Sequence, residues 1–309
     1  MRLIFMGTAA FACPTLRALL ASTHQVLAVV TQPDRPRGRG QQPAASAVKT
    51  FAVEHQLPVL QPASLRPPAV LDALAAGRPE VIVVVAYGNI LPAAVLTLPR
   101  HGCINLHASL LPQYRGPAPI NWTLIHGDTR TGYTIIQMDE HVDTGPILWS
   151  EACPVMPDDD AVSLGTRLAA AGATGMVRVL TALEAGTLTA QPQPEAGASR
   201  APKLTRELGR LDWQQPAMAL HNRVRGLVPW PGATAVFADL EVKIWRSSVS
   251  DLPADMSPGT VTASSPAGLL VACGAQQLLI QEIQPANRRR LSAWDFAQGY
   301  RVQPGQRFL

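Results

Sequence analysis

Val81-Ile82-Val83-Val84-Val85-Ala86 is an unbroken apolar run. Side chains of a strand alternate between its two faces, so a run with no polar residue must be covered on both. That is the situation of a central strand in a parallel sheet with helices on each side. Related segments lie on either side of it in the chain. Arg2–Met6 and Val26–Thr31 read as earlier strands, and Cys103–His107, Thr134–Met138 and Ile147–Ser150 as later ones. Phe11–Ala21 carries apolar residues at helical spacing. Asp158–Glu184 reads as a long amphipathic helix opened by Asp158-Asp159-Asp160, and acidic residues suit a helix N-terminus. The alternation predicts a doubly wound, Rossmann-like α/β domain.

The pattern changes after residue 190. Gln191 to Pro202 is rich in Pro, Gly and Ala with weak periodicity, the signature of a linker. Leu211–Asn222 then reads as a helix. The β-like segments Ala233–Phe237, Val242–Trp245, Gly259–Ala263, Leu269–Ala272 and Leu278–Ile283 follow, separated by turn residues. They predict a small antiparallel β-barrel (OB-like) or sandwich. With 309 residues two domains are natural, and the expected division is 1–190, a linker at 191–206, and 207–309.

Hydrophobic residues make up 47% and charged residues 16%, enough to bury a core and far from a disordered composition. No apolar run approaches the ~18 residues of a membrane span. Met1 to Gly7 reads as a strand and not as a secretory leader, so a cytoplasmic protein is expected. Cys13, Cys103, Cys153 and Cys273 are widely spaced with no C-x-x-C pair. Free thiols are therefore expected and no metal. The net charge is +4, of which residues 1–205 carry +1 and residues 206–309 carry +3. This modest C-terminal excess points to a nucleic-acid-facing surface. A monomer is expected.

Asn105 and His107 lie two residues apart at the end of a strand, so both point to the same side. In α/β sheets ligands bind outside the carboxyl ends of the strands. Downstream, Gln137 to Gly145 also follows a strand and brings Asp143 towards the same edge. The three groups suit acyl transfer. His relays a proton near neutral pH, Asp orients the imidazole, and Asn donates to an oxyanion growing on a carbonyl. A structural, hydrogen-bonded His is the competing reading of the same spacing. Ser109 is not set in a G-x-S-x-G elbow, which favours direct attack by the substrate over a covalent intermediate. The Gly7-Thr8-Ala9 turn lacks the G-x-G-x-x-G of a nicotinamide site. Gln32 to Pro43 is a long loop, locally basic through Arg35, Arg37 and Arg39 against Asp34. It reads either as a solvated loop or as an arm that contacts phosphates.

The run Asn105–Pro112 with Gln113-Tyr114-Arg115-Gly116-Pro117 resembles the signature of the 10-formyltetrahydrofolate-dependent formyltransferases. The family's Asn, His and Asp match Asn105, His107 and Asp143. Ser109, Leu110, Leu111 and Pro112 match a folate-binding element, and Val85 to Pro92, with Tyr87, Gly88 and Ile90, is similar to the segment lining the pterin pocket. The Gln32–Gly40 loop, Lys203-Leu204-Thr205 through Asp212-Trp213, and Asn222-Arg223-Val224-Arg225 through Gly232 extend the similarity nearly end to end, on the pattern of members that act on tRNA. Departures are Ala9 where the family usually has Pro, Gln41 and Gln42 where lysines are common, and His141-Val142 in place of Gly-Leu. The resemblance implies transfer of a formyl group from 10-formyltetrahydrofolate, without a metal, to methionine carried on initiator tRNA. Arg35, Arg37, Arg39, Arg223 and Arg225 would then face the tRNA. The family's other acceptors, an amino-sugar nucleotide, glycinamide ribonucleotide or water, are the alternatives, and a non-catalytic tRNA-binding protein is a further one.

Overall fold

A computed structural model describes residues 1–37 and 42–309. In chain order the elements run β1 (Arg2–Gly7), α1 (Cys13–Leu20), β2 (Gln25–Val30), β3 (Arg35–Arg37), β4 (Gln42–Ala44), α2 (Ala47–Glu54), β5 (Val59–Leu60), α3 (Pro68–Ala76), β6 (Val81–Val85), α4 (Ala93–Leu96), β7 (Cys103–His107), α5 (Pro119–His126), β8 (Arg130–Gln137), β9 (Ile147–Pro154) and α6 (Ala161–Glu184). Then follow α7 (Ala217–Gly226), β10 (Ala233–Phe237), β11 (Leu240–Ser250), β12 (Val261–Ser265), β13 (Gly268–Ala272), β14 (Gln277–Pro285), β15 (Leu291–Ser292) and α8 (Ala293–Tyr300). The chain forms two compact units, each assembled from separate stretches. The first takes Met1–Pro119, Arg130–Pro154 and Gly165–Ala201, and the second Ile120–Thr129, Val155–Leu164 and Pro202–Leu309.

The first unit is built on a seven-stranded sheet in the order β5-β2-β1-β6-β7-β8-β9. Strands β5 through β7 are parallel, and β8 and β9 antiparallel. The apolar run of β6 is covered on both faces. Val81, Val83 and Val85 join Leu3, Phe5, Leu16, Leu19 and Met176 in one core, while Ile82 and Val84 join Ile4, Met6, Leu74 and Val95 in the other. Fully burying such a side chain contributes about 1.5–3 kcal/mol, so these two layers dominate the unit's stability.

Local chemistry moves several element ends. The helix read from Phe11 opens with a 3-10 turn at Ala10–Ala12, and α1 starts at Cys13 with Pro14 in its first turn, where a missing N–H costs least. Helix α6 begins after the acidic run: Asp160 Oδ1 accepts from Val162 N and Ser163 N, both at 2.8 Å, the geometry of an N-cap. The helix read from Leu211 starts six residues later, because Pro216 biases the residue before it away from helical backbone.

In the second unit the sheet order is β10-β11-β14-β13-β12, with β15 added on β14 and every pairing antiparallel. The C-terminal tail joins the two edges. Phe308 bridges Phe237 of β10, and Arg307 bridges Thr260 beside β12, both antiparallel. The sheet is thereby closed into a barrel around Phe237, Phe296 and Phe308, with ring centroids 5.8 and 4.9 Å from Phe237. Among the described residues no helix is long and apolar enough to cross a membrane.

Candidate active site

The chain winds outward from β1 through β2 to β5 and then restarts at β6 on the other side of β1, so the strand order reverses between β1 and β6. Ligand crevices form at such a reversal, at the carboxyl ends of the strands. There Thr8 N donates to Ala86 O at 3.2 Å, and Thr8 Oγ1 and Gln32 Nε2 both donate to Tyr87 O at 2.9 Å. Ala86 (φ 45°) and Gly88 (φ 84°) turn the chain left-handed. A Cβ at Gly88 would lie 2.7 Å from Gln32 Nε2, so the position favours glycine on both counts. Tyr87 is buried, which pushes its phenol pKa up. Ile90 is 80% exposed, an apolar side chain left open to solvent beside this turn.

On the neighbouring strand β7, Asn105 and His107 meet Asp143. Asn105 Nδ2 donates to Asp143 Oδ1 at 3.3 Å, and His107 Nδ1 lies 3.5 Å from Asp143 Oδ2. The other ring nitrogen, His107 Nε2, donates to the Tyr114 carbonyl at 2.9 Å. The ring thus sits between two acceptors, a carbonyl and a carboxylate, and a doubly protonated imidazole would donate to both. Gly116 N donates to Asp143 Oδ2 at 2.9 Å. His107 is 6% and Asp143 15% exposed, so the contact between imidazole and carboxylate is largely shielded from water.

Asp143 reaches this point by a route the strand pattern did not contain. Strand β8 runs antiparallel to β7 and ends with Gln137 beside Ile104, away from His107. Residues 138–146 therefore fold back along β7, with Asp143 itself left-handed at φ 55°.

The remaining sequence-derived residues fall into distinct environments. Ser109 is fully buried; its hydroxyl donates to Gln113 O at 2.6 Å and its carbonyl accepts from Thr134 Oγ1 at 2.7 Å, so it braces the loop from within. Leu111 is buried, and Leu110 and Pro112 are half-buried in the same loop. Arg35 is exposed at the start of the β3–β4 hairpin, whose base is tied by Asp34 accepting from Lys49 Nζ at 2.6 Å and Gln61 Nε2 at 2.8 Å. Arg37 belongs to β3, and Arg39 lies outside the described residues. Arg223 and Arg225 are half-buried and spend hydrogen bonds inside their own unit. Arg223 donates to Leu208 O at 3.0 Å, and Arg225 to Asn222 Oδ1 at 2.9 Å. Burial also draws the Arg225 pKa down.

Sequence reasoning missed Gln193 and Ser199, because they lie in the stretch that reads as a linker. Residues 191–201 instead run along the first unit as a strap. Gln191 bridges Ile147, Ser199 Oγ accepts from Tyr114 N at 2.9 Å, and Arg200 bridges Arg115. Gln193 Nε2 donates to Asp143 O at 2.9 Å and to Gly145 O at 2.8 Å. Proline and glycine richness conceals such a strap, since its bonds are irregular and leave no period. Among the described residues no group of His, Cys, Asp and Glu could hold a metal ion.

Residues 1–180 match the formyl transferase family model, and residues 203–301 match the formyl transferase C-terminal domain. The methionyl-tRNA formyltransferase of Geobacter metallireducens is 48% identical over 305 residues, covering 99% of this chain and 97% of that protein. That of Methylococcus capsulatus is 47% identical over 296 residues, covering 96% of each. Among solved structures, a sugar 3N-formyl transferase superposes with a TM-score of 0.69 at 15% identity, covering 94% of this chain and 99% of that one. The N-formyltransferase of Helicobacter canadensis gives 0.68 at 15% identity, covering 90% and 98%. At these identities the structures speak for the fold alone, whereas the sequence relatives speak for the family. The chain belongs to the formyl transferase family and, within it, to the methionyl-tRNA formyltransferases.

Proposed function

We propose that Asn105, His107 and Asp143 carry the transfer of the formyl group of 10-formyltetrahydrofolate to the α-amine of methionine on initiator tRNA, giving formylmethionyl-tRNA for translation initiation. The observation that carries this is the meeting of Asn105 Nδ2 and His107 Nδ1 on the two oxygens of one carboxylate, at 3.3 and 3.5 Å, beside the carboxyl edge of a parallel sheet.

The α-amine, with a pKa near ~8, is neutral to a useful extent at physiological pH and attacks the formyl carbon directly. Asn105 Nδ2 carries two hydrogens. One is committed to Asp143, and the other is available to the oxyanion that forms on the formyl oxygen. Both nitrogens of His107 face acceptors within the protein, so in this arrangement the ring positions the Asp143 carboxylate. The attacking nitrogen becomes acidic as the new C–N bond forms, and Asp143 accepts its proton, directly or through water. The bond from the formyl carbon to the folate nitrogen then breaks, and that nitrogen takes up a proton.

Tyr87, Gly88, Ile90 and the Ser109–Pro112 loop are assigned to the folate site, with exposed Ile90 as an apolar contact and Ser109 as an internal brace. Residues 1–190 together with the strap that continues to Ala201 belong to the catalytic domain, and residues 207–309 form the tRNA-binding domain of a cytoplasmic, metal-free monomer. Arg35, Arg37 and Arg39 approach the tRNA. In the second unit the exposed Arg288 and Arg289 suit the backbone better than Arg223 and Arg225, whose donors are partly spent, and than Arg290, which pairs with Glu282.

The test is transfer of labelled formyl from 10-formyltetrahydrofolate to methionyl initiator tRNA, with uncharged tRNA and free methionine as controls. Transfer to the charged tRNA alone supports the reading. Release of formate without transfer would move the assignment to a hydrolase.

A further inference from the structure

We propose that Arg115 and Gln193 form a positioning pair that holds Asp143 in its working conformation, making the strap of residues 191–201 part of the active site. This rests on the reading of Asp143 as catalytic.

The hydrogen-bonding capacity of Gln193 is fully used. Its amide nitrogen donates to Asp143 O at 2.9 Å and Gly145 O at 2.8 Å, and its oxygen accepts from Arg115 Nε at 3.1 Å and Nη2 at 2.8 Å. The orientation of the amide follows from chemistry. A guanidinium only donates and the two carbonyls only accept, so a flipped amide would lose all four bonds. Among neutral side chains of this length only glutamine supplies two donors and an acceptor from one planar group.

The group being held needs holding. Asp143 is a non-glycine residue at φ 55°, and such a conformation persists where its surroundings over-determine it. Its side chain is fixed by Asn105 and Gly116, and its backbone by Gln193. Arg115 closes the circuit. Its two chain neighbours bond to the same dyad, since Tyr114 O accepts from His107 Nε2 and Gly116 N donates to Asp143 Oδ2. The pair therefore ties the backbone of Asp143 to the segment that fixes both His107 and the Asp143 carboxylate. Displacing a catalytic group by about 1 Å costs on the order of 100-fold in rate.

The experiment compares full-length wild type with Gln193→Met, Gln193→Glu, Arg115→Met, the Arg115→Met/Gln193→Met double variant, and Asp143→Asn as reference. It reads kcat, KM for methionyl-tRNA and for 10-formyltetrahydrofolate, the pH profile of kcat, and Tm. Gln193→Met is expected to lower kcat roughly 10- to 100-fold, leave both KM values within about twofold, and displace the pH profile as Asp143 shifts against His107. Gln193→Glu keeps an acceptor for Arg115 but sets a carboxylate against two carbonyls, and it loses kcat likewise. It provides the test if the methionine variant does not fold. The double variant is expected to be no worse than the poorer single, because both break one chain of hydrogen bonds. Wild-type kcat and pH profile with only a lowered Tm would make the pair a latch for the strap and overturn the proposal. So would a raised KM at unchanged kcat. An inactive Asp143→Asn beside a fully active Gln193→Met refutes this inference alone. A fully active Asp143→Asn refutes the catalytic reading and the inference together.

Discussion

Replacing Asp143 by asparagine changes almost nothing in shape and nearly everything in the site's hydrogen bonding. In the wild type both carboxylate oxygens accept: Oδ1 from Asn105 Nδ2 at 3.3 Å, and Oδ2 from Gly116 N at 2.9 Å, with His107 Nδ1 3.5 Å away. Asparagine has one oxygen to offer, and its NH2 group must face a donor. The Gly116 N–H is backbone and cannot turn, so the new NH2 is driven towards Asn105, whose own amide must flip to present oxygen. The flip turns the Asn105 donors away from the formyl oxygen, and the negative charge beside His107 is gone. Loss of one oxyanion donor costs about 3–4 kcal/mol. Loss of a carboxylate beside a catalytic imidazole lowers kcat by ~10⁴ in a well-studied triad, and such effects overlap and do not add. We therefore expect kcat to fall by about 10³–10⁴, or ~4–5.5 kcal/mol of barrier. Stability should fall by only about 1.5–3 kcal/mol, the scale of one charge-assisted hydrogen bond. Single-turnover transfer of labelled formyl, beside a urea melt of the same preparation, separates the two. A kcat within tenfold of wild type in a folded variant would refute the reasoning, because neither the flip nor the lost charge could then matter to the chemistry.

Gly116→Ala is expected to fail differently. At φ 126° the position is glycine territory, and a Cβ would lie 2.6 Å from the Ala201 carbonyl. Stability should drop by roughly 1–3 kcal/mol and kcat should fall with it as Gly116 N withdraws from Asp143, and urea midpoints with initial rates read both. His221 carries a pH dependence: burial, with the charge of Arg225, draws its pKa below the ordinary value of 6.5. The unfolded chain takes up that proton more readily, so the contribution to stability is full above about 6.5 and is lost as pH falls through that value towards the lower folded pKa. His221→Gln should flatten the fall in urea midpoint between pH 7.5 and 5.5, and an unchanged slope would count against it. Replacing the exposed Arg288 and Arg289 by alanine should raise KM for tRNA and reduce the slope of log KM against log salt by about one for each phosphate no longer neutralised. An unaltered slope would remove them from the interface.

What could be read from the residues alone was whatever has a period or a spacing. The six apolar residues from Val81 announce a strand covered twice, and β6 is covered twice. The i, i+2 pair on Cys103–His107 announces two polar groups on one side, and both meet Asp143. Charge counts carried less. They register Arg223 and Arg225 as positive but not that Leu208 O and Asn222 Oδ1 already occupy their donors. Short helices such as α2 and α3 escape a reading by period as well, being little longer than two turns, with only three buried residues in α2 and one in α3. Proline marked ends that apolar spacing alone did not: Pro216 delays α7 although Leu211 and Trp213 are buried as a helix's apolar face would be.

The position of Asp143 shows why a motif can be informative while the path to it is not. A carboxylate after a strand belongs at the ligand edge if that strand is parallel to its neighbour, and β8 is antiparallel. Its end lies beside Ile104, so residues 138–146 must return along β7 for Asp143 to meet Asn105. That return has local requirements. Gly145 passes so close to the Gln137 carbonyl that no Cβ could stand there, and Asp143 must turn left-handed. It also leaves the carbonyls of Asp143 and Gly145 without partners in a regular element, and buried carbonyls need partners. A side chain from the strap meets that need. The reversal of sheet direction, the glycine, the left-handed aspartate and the glutamine fifty residues later are thus consequences of one constraint. A carboxylate has to be delivered to the carboxyl end of β7 from a strand running the wrong way.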